Sequence, residues 1–118
     1  MSYESKFFVV EKSTMPDYEN ENYVYGQVVT GFNAGCIPCI DEIKKYPLTN
    51  AYIYYNDEKV YEDKYGDKLI EIPIPDLIKI IRKASKNDNY RRYSPLLGLL
   101  KGFNLEQWND IVVLHYGY

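Results

Sequence analysis

Runs of hydrophobic residues at the two ends of the chain predict two strands. Residues 6–11 and 111–116 are both continuously apolar in their middle. This pattern is typical of a strand inside a sheet, because both of its faces are covered. Residues 23–32, YVYGQVVTGF, predict another strand whose successive side chains alternate between two faces, and the polar stretch 13–22 before it is predicted as a loop.

The tyrosine-rich stretch 51–72 predicts a three-stranded antiparallel meander. Successive side chains of a strand point to opposite faces. Ile53 and Tyr55 are therefore expected on one face, and Tyr52 and Tyr54 on the other. Two polar turn sequences, the second of which contains a glycine, separate the three predicted strands.

Helices are predicted where apolar residues recur at helical spacing after a proline. Residues 37–46 predict a short helix, 75–86 a longer amphipathic one, and 94–102 a leucine-rich one that ends at a glycine. One more helical turn is predicted at 104–108.

These elements together predict a single α+β domain over residues 1–118. We expect a mainly antiparallel sheet of about five to six strands, with two to three helices packed on one face. A chain of 118 residues has the usual size of one domain.

Composition and charge narrow the function classes. The net charge is −3 and the pI is near 5.1, which gives no general attraction for nucleic-acid phosphates. Neither a signal peptide nor an apolar run of about 20 residues is visible, so we expect a cytoplasmic protein without membrane contact. The chain contains 14 tyrosines, a residue type that suits both half-buried sheet faces and contact surfaces.

Cys36 and Cys39 form the sharpest chemical motif. Two cysteines separated by Ile-Pro, at the start of a predicted helix, resemble the active-site turn of thioredoxin-like proteins. The resemblance implies Cys36 as nucleophile and Cys39 as resolving thiol. It ends after about ten residues, because Gly35 stands where that family has tryptophan and Pro47 stops the helix early. Two packed, inert thiols are the alternative that we favour.

Metal and histidine chemistry have little support in the sequence. Cys36, Cys39 and His115 supply three zinc ligands where a structural site needs four, so no metal is expected. His115 is the sole histidine and lies within the last predicted strand. We expect it to be a hydrogen-bonded sheet residue and not a catalyst.

The segment 82–93 joins basic and aromatic residues. Arginine and tyrosine could together hold a phosphate and stack a base, as in proteins that bind single-stranded nucleic acid. The acidic balance of the whole chain argues against that interpretation. Tyrosine and arginine are also enriched at protein interfaces, and this second interpretation is the one we favour.

Four stretches of the chain carry a resemblance to a known family: YVYGQVVTGFN, the tyrosine-rich region 51–72, YRRYSPLLGLLKGF and WNDIVVLHYGY. They resemble a family of short uncharacterised proteins carried by phages and integrative elements of low-GC Gram-positive bacteria. The resemblance implies an accessory cytoplasmic role and lends no catalytic residue. We therefore predict a protein-binding domain without a cofactor, whose partner and oligomeric state stay open. A thiol-disulfide oxidoreductase and a nucleic-acid-binding protein are the alternatives. The predicted binding residues are Tyr52, Tyr54, Tyr61, Tyr90, Arg91, Arg92 and Tyr93.

Overall fold

The computed structural model of the chain describes residues 3–12, 16–17, 22–23, 28–49 and 52–118. Eight strands and three helices lie within these residues. In chain order they are β1 (Ser5–Glu11), β2 (Pro16–Asp17), β3 (Asn22–Tyr23), β4 (Val28–Gly35), α1 (Ile40–Ile43), β5 (Ile53–Tyr55), β6 (Glu58–Val60), β7 (Ile70–Ile72), α2 (Ile74–Ser85), α3 (Tyr93–Lys101) and β8 (Ile111–Gly117).

The main sheet has four strands in the order β4-β1-β8-β7, and every neighbouring pair is antiparallel. Two further two-stranded ladders pair β2 with β3 and β5 with β6. The predicted α+β class, dominated by antiparallel sheet, is confirmed. β1 and β8 are the two central strands, as their continuous apolar runs indicate.

The stretch predicted as a three-stranded meander is divided between two sheets. β5 and β6 form a separate hairpin, while β7 pairs with β8 in the main sheet. The second and third predicted strands of the meander are connected by one isolated β-bridge, between Glu62 and Lys68. The side chain of Asp63 accepts hydrogen bonds from the backbone N–H groups of Tyr65 and Asp67 and closes the turn between them. The redirected chain can then bury Ile70 and Ile72 beneath the helices.

Alternation along the central strands creates two hydrophobic cores. Phe7 and Val9 of β1 face α2 and α3, whereas Phe8 and Val10 belong to a second core beneath the hairpin. The helices therefore pack on one face of the main sheet, as predicted. The other face is covered by the hairpin, which accounts for strands that are apolar on both sides.

The helices differ in length from their predictions. α2 and α3 lie close to the predicted ranges, but α1 has only four residues where the sequence predicts a helix over 37–46. Turns occupy the positions on both sides of α1, and Pro47 follows them. Residues 104–108 form a turn closed by two backbone hydrogen bonds to the carbonyl of Asn104, not a separate helix.

Residues 24–27 of the predicted strand 23–32, and residues 13–15 and 18–21 of the predicted loop 13–22, lie outside the described residues. Pro16–Asp17 of the predicted loop pairs with Asn22–Tyr23 as a short ladder. β4 continues three residues beyond the predicted end at position 32, to Gly35. No helix in the described part of the chain is both long enough and apolar enough to cross a membrane.

Candidate functional site

The outer face of the β5–β6 hairpin carries exposed tyrosines. Ile53 faces inward and is completely buried, whereas Tyr54 is 52% exposed. Tyr54 lies directly opposite Lys59 in the ladder, so both side chains share the outer face. Tyr61 follows β6 two positions after Lys59, on the same side by alternation, and is 50% exposed. These three residues, Tyr54, Lys59 and Tyr61, define the outer face of the hairpin.

Tyr52 differs from the other predicted hairpin residues because it is only 5% exposed. Its ring packs edge-on against the ring of Tyr54, with 5.6 Å between the centroids. The ammonium group of Lys59 lies over the same ring at 5.0 Å. Tyr52 therefore packs against two residues of the outer face, Tyr54 and Lys59, and its own ring is not accessible to a partner.

The segment 90–93 is anchored to the end of β4. The hydroxyl of Tyr90 donates a hydrogen bond to the carbonyl of Ala34, and the Arg92 guanidinium donates to the carbonyl of Asn33 at 3.2 Å. Between them lies Gly35, whose φ of +64° is one that glycine adopts readily. A Cβ at this position would lie 2.7 Å from an Arg92 nitrogen and 2.8 Å from the Tyr90 hydroxyl, so a larger residue would displace the ends of both side chains.

Asp88 organises the same segment from the other side. One carboxylate oxygen accepts the backbone N–H of Tyr90 and the other accepts the hydroxyl of Tyr93, both at 3.0 Å. Tyr93 is buried, and this burial, with the nearby Cys39, raises the pKa of its hydroxyl far above the usual value. Tyr93 is thus a core residue, and the exposed member of the predicted segment is Arg91.

A cavity of about 530 Å³ lies where the end of α2 meets α3. Its wall includes Arg91, Lys101 and the polar side chains of Ser85 and Ser94. The structure therefore brings part of the Arg/Tyr segment to a concave surface. The hairpin that carries the other predicted tyrosines packs on the opposite face of the main sheet, so the predicted binding residues form two separate surfaces.

The two cysteines are free thiols in different surroundings. Cys36 is exposed, and Cys39 is half-buried and shares a hydrogen bond with Tyr93. Burial raises the pKa of the Cys39 thiol, and the carboxylates of Asp88 and Glu42 raise it further. The helix that follows has a single turn, and the preceding strand belongs to an antiparallel sheet instead of a βαβ unit. This setting provides little of the thiolate stabilisation on which a redox role depends.

His115 is a buried member of β8, exposed by only 2%. Its Nε2 forms a hydrogen bond of 2.8 Å with the hydroxyl of Ser5, and its ring stacks near that of Tyr3. Burial, helped by the positive charge of Lys44, lowers its pKa to about 4. Among the described residues, no group of three or more His, Cys, Asp or Glu side chains is placed to hold a metal ion.

A second cavity, of about 400 Å³, lies between the main sheet and the hairpin, and the sequence gives no sign of it. Cross-strand pairing places Lys6 beside Asn33 and Tyr116 on one face of the sheet. The Lys6 ammonium lies 3.3 Å from the hydroxyl of Tyr55 and 5.4 Å from the centre of the Phe8 ring. A cation among aromatic rings suits a small anionic ligand with an apolar body. Only the strand register brings these residues together, so no local motif could reveal them.

Comparison of the chain with protein-family models, with curated proteins and with solved structures found no match in any of the three.

Proposed function

We propose that the chain acts by binding another protein through the outer face of the β5–β6 hairpin. This proposal rests on one observation: Tyr54 and Tyr61 are half exposed on the hairpin, while the inner face of the hairpin packs into a hydrophobic core. Tyrosine offers a large, rigid contact area and a hydroxyl that can still hydrogen-bond, which makes it frequent at interface hot spots.

The packing of the hairpin on the main sheet also supports a binding role. Ile53 is fully buried beside Leu69 and Leu114, so the backbone under the tyrosines is fixed before a partner arrives. A preformed surface loses little conformational entropy on binding. Lys59 lies opposite Tyr54 in the ladder, with its ammonium over the ring of Tyr52, and adds a positive charge to this face that favours a partner with a carboxylate at the matching position.

The proposal extends to the setting of the protein. The resemblance to short proteins of phages and integrative elements supports an accessory role in the cytoplasm of a bacterial host. In such a role the partner would be a host or element-encoded protein, and the domain would need no cofactor of its own.

Photo-cross-linking at position 54 tests the proposal. With p-benzoylphenylalanine in place of Tyr54, we expect one protein from the native cells to be captured reproducibly. Excess wild-type chain should compete for that protein, while the double variant Tyr54→Ser/Tyr61→Ser should compete at least about tenfold less well, because hot-spot tyrosines contribute about 2 kcal/mol or more. The same photoreactive residue in place of exposed Lys12 is the matched control and should not capture that protein.

Three outcomes would contradict the proposal. These are no reproducible cross-link, equal competition by the wild-type and double-variant chains, or capture of a second copy of this chain alone. Thermal unfolding of the double variant should stay close to that of the wild type, since both side chains are half exposed.

A further inference from the structure

The exposed side of α2 is a row of positive charge. Lys79, Arg82, Lys83 and Lys86 follow the spacing i, i+3, i+4 and i+7, which places them along one helix face, and all four are exposed. The opposite face of α2 is buried in the core. Arg91 and Lys101 continue the positive surface at the cavity beyond the end of α2. We call these residues the basic face: Lys79, Arg82, Lys83, Lys86, Arg91 and Lys101.

The basic face concentrates charge in an otherwise acidic protein. Residues 79–101 contain seven of the 14 lysines and arginines but only one of the 17 acidic residues, Asp88. Both carboxylate oxygens of Asp88 already accept hydrogen bonds within the segment. The net charge of −3 therefore does not describe residues 79–101, where cations outnumber acidic residues by seven to one, and it does not exclude a polyanion as their ligand.

Local structure explains only part of this arrangement. Cations near the C-terminus of a helix interact favourably with the helix dipole, which accounts for Arg82, Lys83 and Lys86. That effect fades within one turn and leaves Lys79 and Arg91 unexplained. Within the residues that the structure describes, no member of the basic face forms an ion pair with a carboxylate.

We infer that the basic face binds the phosphate backbone of a nucleic acid. Binding to phosphates needs clustered lysine and arginine and no apolar anchor. A membrane surface or a protein hot spot would need exposed apolar or aromatic side chains among the charges. The largest exposed hydrophobic side chains of the described chain all lie elsewhere: Leu48, Tyr54, Tyr61, Tyr65 and Leu105.

The predicted contacts are to the backbone and not to the bases. Tyr93 is buried and Tyr90 donates its hydroxyl to the backbone of β4, with the two rings packed edge-on at 5.4 Å. Tyr90 is half-buried and Tyr93 is buried, so neither residue offers the fully exposed ring on which a base could stack. Binding is thus independent of sequence, and Arg82 and Arg91 can each hold a phosphate with two parallel hydrogen bonds.

Fluorescence anisotropy with a labelled dT20 strand and a labelled 20-base-pair duplex tests this inference on the full chain. At 50 mM KCl we expect saturable binding in the micromolar range to at least one probe. If about five phosphates are neutralised, the logarithm of the association constant for dT20 should fall with the logarithm of salt concentration with a slope of about −3.5.

Two triple variants with equal net charge separate the basic face from general charge. Arg82→Gln/Lys83→Gln/Lys86→Gln should weaken binding at least tenfold at 50 mM KCl and make the salt slope shallower by about 2. Lys12→Gln/Lys45→Gln/Lys68→Gln removes three exposed cations elsewhere and should leave both values nearly unchanged. Circular dichroism and thermal unfolding confirm that both variants are folded.

The inference is overturned by no binding of either probe up to 100 µM protein, or by equal effects of the two triple variants. It is also overturned if vesicles with 30% phosphatidylserine sediment the protein while neither nucleic acid binds. Since the hairpin is untouched in these experiments, their outcome is independent of the proposed protein partner.

Discussion

Individual polar residues hold the sheet to the segments around it. His115 bonds to Ser5 inside the sheet, and Asp88 with Tyr90 and Arg92 fastens the connection between α2 and α3 to the end of β4. Each of these groups has its partner within the fold, as buried polar groups require. Their roles are structural, which leaves exposed neighbours such as Arg91 and Tyr54 for contact with other molecules.

The buried histidine should make stability depend on pH in a defined window. The pKa of His115 falls from 6.5 in the unfolded chain to about 4 in the fold, so the unfolded state binds the proton more tightly. The contribution of His115 to stability is therefore present above pH 6.5 and declines as the pH falls toward 4, with a loss of roughly 2–3 kcal/mol at pH 4.5. Urea unfolding at pH 7 and pH 4.5 measures this loss. Between the same two pH values, the free energy of unfolding of the His115→Gln variant should fall less than that of the wild type, by about the contribution of His115. The same loss in both chains would show that other groups cause it.

At the scale of elements, the hairpin depends on its turn and on one inward residue. Asn56 and Asp57 both have positive φ, as in the two-residue turns that suit the twist of a hairpin. Ile53 inserts into the core beneath the turn, while Tyr54 next to it faces outward. β5 thus contains both Ile53, which anchors the hairpin in the core, and Tyr54, which is proposed to contact the protein partner.

Alanine substitutions at these adjacent positions should have very different effects. Ile53→Ala removes a fully buried side chain, so we expect the free energy of unfolding to fall by about 2–4 kcal/mol. Tyr54→Ala loses one edge-on ring contact at a half-exposed site and should cost less than about 1 kcal/mol. Urea unfolding of both variants gives the comparison. Equal losses would mean that Tyr54 is part of the core and would remove the basis for the binding surface.

At the scale of the whole molecule, two cores share the central strands β1 and β8. The helix-side core and the hairpin-side core lie on opposite faces of the same backbone ladder. Damage to one core therefore weakens the strands on which the other is built, and we expect the domain to unfold as one cooperative unit.

Leu114→Ala tests this coupling, since Leu114 lies in β8 and is completely buried on the hairpin side. We expect a loss of about 2–5 kcal/mol. The helical signal at 222 nm and the near-ultraviolet signal of the tyrosines should shift together in one transition. Two separate transitions would show that the hairpin-side core unfolds independently.

The sequence by itself determined the elements whose hydrophobic pattern is strong. Periodicity identified α2 and α3, and the continuous apolar runs placed β1 and β8 inside the sheet, because a strand covered on both faces has no polar side. The turn at 56–57 was also predictable, since asparagine and aspartate tolerate positive φ.

Only the tertiary structure decided the pairing of β7 and the burial of each tyrosine. β7 pairs with β8 because the turn after Asp63 redirects the chain, and strand alternation alone cannot reveal a partner more than 40 residues away. Tyr52 and Tyr54 have the same local pattern, yet the first is buried and the second exposed. Burial depends on contacts between residues that are distant in sequence, so local pattern cannot tell which tyrosine of the hairpin is exposed, whereas the basic residues of α2 lie on one face through helical spacing alone.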